Sequence, residues 1–215
     1  MLTFCDGLDI RAAHALNIPD LWLADDITSI RYSTPFYRSF GGLMSSTLSC
    51  HCCQYVSRKQ EIFSALTLEL PTVSSTIEQL LANHWSLQDL IDDGDYCHEC
   101  GAEKCQSKSL QLERWPQILV LHLKRWTVIS QWPFVQKKNP ANISFEVCLP
   151  VPGKILPYSL RAVVVHQGQA GGGHYIAIIR SQDNHWYYCD DFRPPRRALI
   201  DEVLAAEAYM LFYEE

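Results

Sequence analysis

Gly171-Gly172-Gly173-His174-Tyr175-Ile176-Ala177, followed by Trp186-Tyr187-Tyr188-Cys189-Asp190-Asp191, is the stretch from which the rest of the chain is read. Both runs carry the aromatic and branched residues that favour strands. His174 and Asp190, sixteen residues apart, therefore fall on neighbouring strands, an imidazole beside a carboxylate. Such a pair is half of a catalytic triad. The carboxylate fixes the ring's orientation and tautomer, and the imidazole takes a proton near neutral pH. Gly168 and the three glycines before His174 make a rim poor in side chains, open to close approach by an extended peptide.

Working outward, hydrophobic patterning predicts strands over 43–49, 61–70, 106–112, 118–126, 143–149, 159–166, 174–181, 186–189 and 208–213. Ser75-x-x-Glu78 reads as a capping box for a helix over 77–82, and an Ala- and Leu-bearing segment predicts another over 200–207. A short helix is expected over 8–16, little periodicity over 20–37, and a loop over 130–140, with its two prolines and lysine pair. In Ile118-Leu119-Val120-Leu121-His122-Leu123-Lys124-Arg125-Trp126 the unbroken apolar run reads as a strand buried on both faces, with Lys124 and Arg125 marking its exit to solvent. His122 and His166 read as strand histidines with a hydrogen bond or solvent contact, and Tyr175, Trp186, Tyr187 and Tyr188 as packing residues.

The strongest chemical signal is Cys50-x-x-Cys53 with Cys97-x-x-Cys100. A two-residue gap lets both sulfurs of a pair reach one ion, so two pairs can present four thiolates tetrahedrally to zinc. Such a zinc is structural, with no open coordination position. His51, Cys52 and His98 lie beside these knuckles, which leaves a Cys3His set conceivable. The 43 residues between the pairs exceed what a compact zinc ribbon carries, so the ribbon has to hold an inserted strand and helix. Cys105, Cys148 and Cys189 sit on strand-like segments and read as small buried hydrophobes, while Cys5 belongs to no motif.

Composition agrees with one soluble domain of 215 residues: 47% hydrophobic, 20% charged. A net charge of −6 argues against general attraction to nucleic acid or anionic membranes. Nine cysteines, an odd number, read as reduced thiols with several binding metal. No secretory leader or membrane-spanning run is seen, so a cytoplasmic or nuclear location is expected.

The histidine stretch, taken with 162–168, resembles the histidine box of the ubiquitin-specific proteases, papain-like cysteine enzymes that remove ubiquitin. The likeness extends over roughly 40–213. Phe40-Gly41, Cys50-x-x-Cys53, Glu61-x-Phe63, Leu66-Thr67-Leu68 and Tyr96-Cys97-x-x-Cys100 look like the family's fingers, where a long cysteine spacing is usual. Leu112-x-x-Trp115-Pro116 through Lys124-Arg125-Trp126 resembles its Leu-Pro…Leu-Lys-Arg-Phe signature, with tryptophans at two apolar positions. Ile143-Ser144-Phe145, the strand over 158–168 and Ala208-Tyr209-Met210-Leu211-Phe212-Tyr213 follow in family order.

The resemblance implies an α+β, papain-like fold. It has a mostly antiparallel β palm over about 113–215 and zinc-ribbon fingers over about 40–112. The helical thumb is largely absent, 1–39 being a linker or thumb remnant. It implies His174 as base, Asp190 as orienting acid and Asp191 as a second acid that positions or polarises the scissile group. Cys50, Cys53, Cys97 and Cys100 become the zinc ligands. Ubiquitin or ubiquitinated proteins become the partners, with no nucleic acid and no membrane.

One element of the family pattern is not found. No Asn-x-Gly-Asn-x-Cys-Tyr block occurs, and Phe4-Cys5-Asp6-Gly7 lacks the asparagine that would serve the oxyanion and the tyrosine that follows the nucleophile. The expectation is thus the C-terminal part of a thiol-dependent deubiquitinase, inactive alone. The alternatives are a ubiquitin-binding adaptor without catalysis and, more distantly, a zinc-ribbon scaffold unrelated to ubiquitin.

Overall fold

The computed structural model describes residues 34–86, 88–90, 96–103, 105–132, 134–169, 172–191 and 193–215. The expected helix over 8–16 and Cys5 lie outside them. In chain order the elements begin with α1 (Pro35–Phe40), β1 (Gly42–Cys50), β2 (Val56–Phe63), β3 (Leu66–Glu69), β4 (Ser75–Thr76), α2 (Ile77–Ser86) and β5 (Gln88–Leu90). They continue as β6 (Gln106–Arg114), β7 (Ile118–Lys124), β8 (Trp126–Gln131), β9 (Phe134–Lys138), β10 (Ile143–Ser144) and β11 (Cys148–Leu149). The last are β12 (Tyr158–Gln169), β13 (Gly172–Arg180), β14 (Trp186–Asp190), β15 (Arg193–Ala198), α3 (Ile200–Leu204) and β16 (Ala208–Glu214). No helix of the described residues is long and apolar enough to cross a membrane.

The chain divides into two compact units, one taking residues up to Ser64 with Trp85–Gln117, the other Ala65–His84 with Ile118–Glu215. In the first, β1 lies between β2 and β6, antiparallel to both, and β5 flanks β6. A Cβ on Gly42 would come within 2.1 Å of the Phe63 ring, so only glycine lets β1 run this close to its partner. Phe63, Trp85 and Trp115 pack in sequence, with centroids 6.5 and 6.2 Å apart. Before them, α1 forms although the sequence there lacks periodicity, because Thr34 caps it by accepting from the Tyr37 amide and Pro35 pre-sets the first turn.

The second unit is built on a sheet ordered β15-β14-β13-β12-β16-β7-β3, with β11 added to β12. Its neighbours are antiparallel except β3 on β7. Leu119, Leu121, Leu123, Leu160, Val163, Leu211 and Tyr213 are essentially inaccessible, and Ile77, Leu80 and Leu81 of α2 are buried as well. This burial is the main favourable term holding the unit together.

Several expectations are corrected here. The predicted strand over 61–70 is two strands, β2 and β3, because the chain leaves one sheet after Phe63 and enters the other at Leu66. The predicted strand over 143–149 is reduced to two short pairings, β10 with β4 and β11 with β12. The expected loop over 130–140 is largely the hairpin β8–β9, in which Trp126 pairs with Lys138 and Gln131 with Phe134. Helix α2 runs to Ser86, and its capping box is shifted by one residue: Thr76 Oγ1 accepts from the Gln79 amide and Gln79 Oε1 from the Thr76 amide, while Ser75 sits in β4. The helix expected over 200–207 stops at Leu204.

Arg125 does not exit to solvent. It is 1% exposed. Its Nε donates to the Ala208 carbonyl at 2.7 Å and its Nη1 to those of Asn139 and Ala141 at 3.0 Å each. Burial lowers its pKa, and the Glu207 carboxylate, 3.8 Å away, works the other way. A guanidinium can be buried here because its fork of donors meets three carbonyls at once.

Candidate active site and metal centre

The His174 edge is set by register. Gln167 on β12 faces His174 on β13, and Ala177 on β13 faces Cys189 on β14, which carries Asp190 to the strand's end beside the histidine. His174 Nε2 and Asp190 Oδ1 are 2.9 Å apart, with the side chains 31% and 19% exposed. Donation from Nε2 to the carboxylate leaves the lone pair on Nδ1, so Nδ1 is the nitrogen that accepts a proton. Asp191 follows in an exposed turn.

The glycine rim has its own geometry. Gly168 has φ +114°, and a Cβ there would stand 2.8 Å from the Gly172 carbonyl. At Gly173 a Cβ would lie 2.2 Å from His166 Nε2 and 2.8 Å from the Gln167 carbonyl. Gly173→Ala is therefore expected to push His166 aside and cost about 1–3 kcal/mol; an unchanged urea midpoint would refute the contact.

His166 was read from sequence as an ordinary strand histidine, yet it is the centre of an aromatic array. It is 7% exposed, its ring centroid lies 5.4 Å from Trp126, 4.7 Å from Tyr175 and 6.4 Å from Tyr209, and its Nδ1 has no hydrogen-bond partner among the described residues. Tyr175 is half exposed, and burial, then the neighbouring Tyr175, raises the Tyr209 pKa. His122 Nδ1 is 3.3 Å from Thr67 Oγ1 and its ring packs on Tyr209. Beside this array a cleft of about 570 Å³ is lined by Trp126, Val135, Gln136, Lys137, Gly168 and Gln169. The sequence signal is one aromatic or histidine on each of four strands, meaningless until the strands are aligned.

In the first unit, Cys50, Cys53, Cys97 and Cys100 bring their sulfurs within 4.8 Å of one another. Cys50 and Cys100 are 3.8 Å apart, and Cys53 and Cys97 3.6 Å. A tetrahedral shell with Zn–S of about 2.3 Å has S···S edges of about 3.8 Å, so the four thiols fit that ion. The knuckles match each other: the Gln54 amide donates to Cys50 and the Gly101 amide to Cys97, with φ of +61° and +69° at Gln54 and Gly101. The backbone amide of Cys53 lowers the Cys50 thiol to about 7. Cys53 is helped by the Tyr55 amide, but desolvation and its three sulfur neighbours push it up to about 12. Four clustered thiols cannot all ionise without a cation, which is the electrostatic case for a divalent metal.

The other cysteines depart from expectation. Cys52 and Cys105 form a disulfide, so Cys52 is not an alternative ligand, and His51 and His98 stand outside the sulfur cluster. Cys148 is exposed and Cys189 half-buried, because alternation turns Leu149 rather than Cys148 inward and leaves the β14 side chains after Trp186 half-covered.

Residues 16–213 match the family model for ubiquitin carboxyl-terminal hydrolase. Among curated proteins the chain is 32% identical over 185 residues to mouse ubiquitin carboxyl-terminal hydrolase 17-like protein B, covering 84% of this chain and 39% of that protein. It is 30% identical over 192 residues to ubiquitin carboxyl-terminal hydrolase 4 of Arabidopsis thaliana, covering 84% and 50%. Among solved structures, a yeast SAGA DUBm with an Sgf73 mutant superposes with TM-score 0.75 at 25% identity, covering 95% of this chain and 47% of that one. The SAGA Ubp8/Sgf11/Sus1/Sgf73 module bound to ubiquitin aldehyde superposes with TM-score 0.72 at 23% identity, covering 95% and 46%, a likeness of fold.

Proposed function

The chain belongs to the ubiquitin carboxyl-terminal hydrolase family, and from that premise we propose that it is the fingers and larger part of the palm of a thiol-dependent deubiquitinase, cleaving after the C-terminal glycine of ubiquitin. The observation that carries this reading is the 2.9 Å contact of His174 Nε2 with Asp190 Oδ1 beside a glycine rim. His174 Nδ1 takes the nucleophile's proton, Asp190 holds the ring, and Asp191 serves as the second acid. The fingers take about 40–112, with zinc held by Cys50, Cys53, Cys97 and Cys100 as a closed structural ion, and the palm about 113–215. An extended, glycine-ended tail suits the cleft between the rim and the β8–β9 hairpin, with Trp126 and Val135 supplying apolar lining. The location that fits is cytoplasmic or nuclear.

These 215 residues contain no cysteine block of the family type, and a base with its carboxylate supplies neither thiolate nor oxyanion donor. A second reading, a ubiquitin-binding adaptor without catalysis, draws on the same fact. The test is hydrolysis of a fluorogenic ubiquitin substrate by residues 1–215, where no turnover is expected. Turnover abolished by Cys5→Ala would overturn this and make Cys5 the nucleophile. Joined to an upstream segment bearing the cysteine block, the chain should turn over substrate and lose about a thousandfold on His174→Ala. Ubiquitin binding with no such restoration would favour the adaptor.

A further inference from the structure

Strand β15 reads Arg193-Pro194-Pro195-Arg196-Arg197-Ala198 and forms the outer edge of the sheet beside the half-triad. Its register is irregular: Tyr188 pairs with Arg196 but Asp190 with Arg193, so between these pairings Pro194 and Pro195 on β15 answer Cys189 alone on β14. The extra residue falls at the two prolines. Without the bulge Arg193 and Arg196 would alternate across the sheet; with it both share the side of their partners Asp190 and Tyr188. Arg197, opposite Tyr187, is left on the other side.

The two arginines differ in what they already hold. Arg196 lies 4.5 Å over the Tyr188 ring and pairs with Glu202 at 3.0 Å, which fixes its guanidinium in place. Arg193 is exposed and makes no ion pair among the described residues. The nearest acids are committed elsewhere, Asp190 to His174 and Glu202 to Arg196, which leaves the exposed Asp191 as the local counterweight. Proline supplies no N–H, so this edge is ill-suited to adding a strand through its backbone. Recognition has to come from side chains. A guanidinium matches a carboxylate with two parallel donors.

We propose that Arg193, with Arg196 fixed beside it, is a basic rim that docks acidic residues neighbouring the modified lysine of the conjugated protein. This rests on the proposed function for the identity of the docked segment. The rim begins one strand away from Asp190, so a segment held there lies next to the His174–Asp190 pair.

The test is fluorescence anisotropy on the purified chain. The probe is a short labelled peptide with a central lysine flanked by aspartates and glutamates, compared with the same peptide carrying asparagines and glutamines. The acidic peptide should bind more tightly, weaken as salt is raised, and lose about tenfold on Arg193→Glu. Arg197→Glu makes the same charge change on the other side of the strand and should leave binding within about twofold. Arg193→Glu should recover affinity for a lysine-flanked peptide, which shows that the variant is folded. Equal binding of the acidic and amide peptides overturns the proposal, as does an equal loss from Arg193→Glu and Arg197→Glu, or tighter Arg193-dependent binding of a single-stranded oligonucleotide of the same charge. Ubiquitin binding is titrated alongside. A chain that binds ubiquitin without preferring the acidic peptide overturns this inference alone; one that prefers the peptide and ignores ubiquitin upholds the basic rim and overturns the proposed function.

Discussion

Chelation of zinc is expected to unfold the unit that carries Cys50, Cys53, Cys97 and Cys100, and Cys97→Ser to do nearly the same. Cys97 is fully buried, and the two knuckles meet at the sulfur cluster, where the four sulfurs lie within 4.8 Å of one another. Binding of a structural zinc is worth about 10–16 kcal/mol in small zinc modules, as large as the net stability of a domain. Metal analysis should fall from about one zinc per chain toward none, and the loss of strand signal should follow it. Acid acts in the same direction. The Cys50 thiol is lowered from 9.0 to about 7, so its ionised form contributes in full above pH 9 and is lost as pH falls through about 7. A chain that carries no zinc, or that melts identically with and without chelator, would remove the metal centre.

Arg125→Ala should be the most damaging single substitution in the second unit, at about 3–5 kcal/mol. It strands the carbonyls of Ala208, Asn139 and Ala141 in the interior and leaves a cavity where a fully buried side chain stood. Arg125→Lys should recover only part of the loss, since one ammonium cannot span three carbonyls approached by a planar fork. Glu207→Gln should cost far less, because that carboxylate is 43% exposed and 3.8 Å from the guanidinium. Urea unfolding of the three variants gives the ranking; a loss below about 1 kcal/mol for Arg125→Ala would mean that water replaces the missing donors.

The sequence by itself determined what depends on short spacing and local pattern. Alternation and apolar runs located most strands, since a half-buried or buried strand has to carry its hydrophobes at a period of two or without a break. Cys-x-x-Cys determined its knuckles for a similar reason: the turn that brings two sulfurs to one point is local. His174 and Asp190 were legible because a single hairpin joins β13 to β14, and a hairpin's register is a short-range property.

Only the tertiary structure decided the rest. Lys124-Arg125 reads like a strand leaving the core, and nothing nearby in sequence announces carbonyls from Asn139, Ala141 and Ala208 that make burial of a guanidinium tolerable. Trp126, His166, Tyr175 and Tyr209 come from four strands and become one array when β8, β12, β13 and β16 are aligned, so each alone reads as packing. Cys52 and Cys105, 53 residues apart, meet only once β1 and β6 pair. The bulge at Pro194 and Pro195 decides which side Arg193 takes, because a side chain's face in a sheet is set by pairing with a neighbour and not by its own strand's alternation alone.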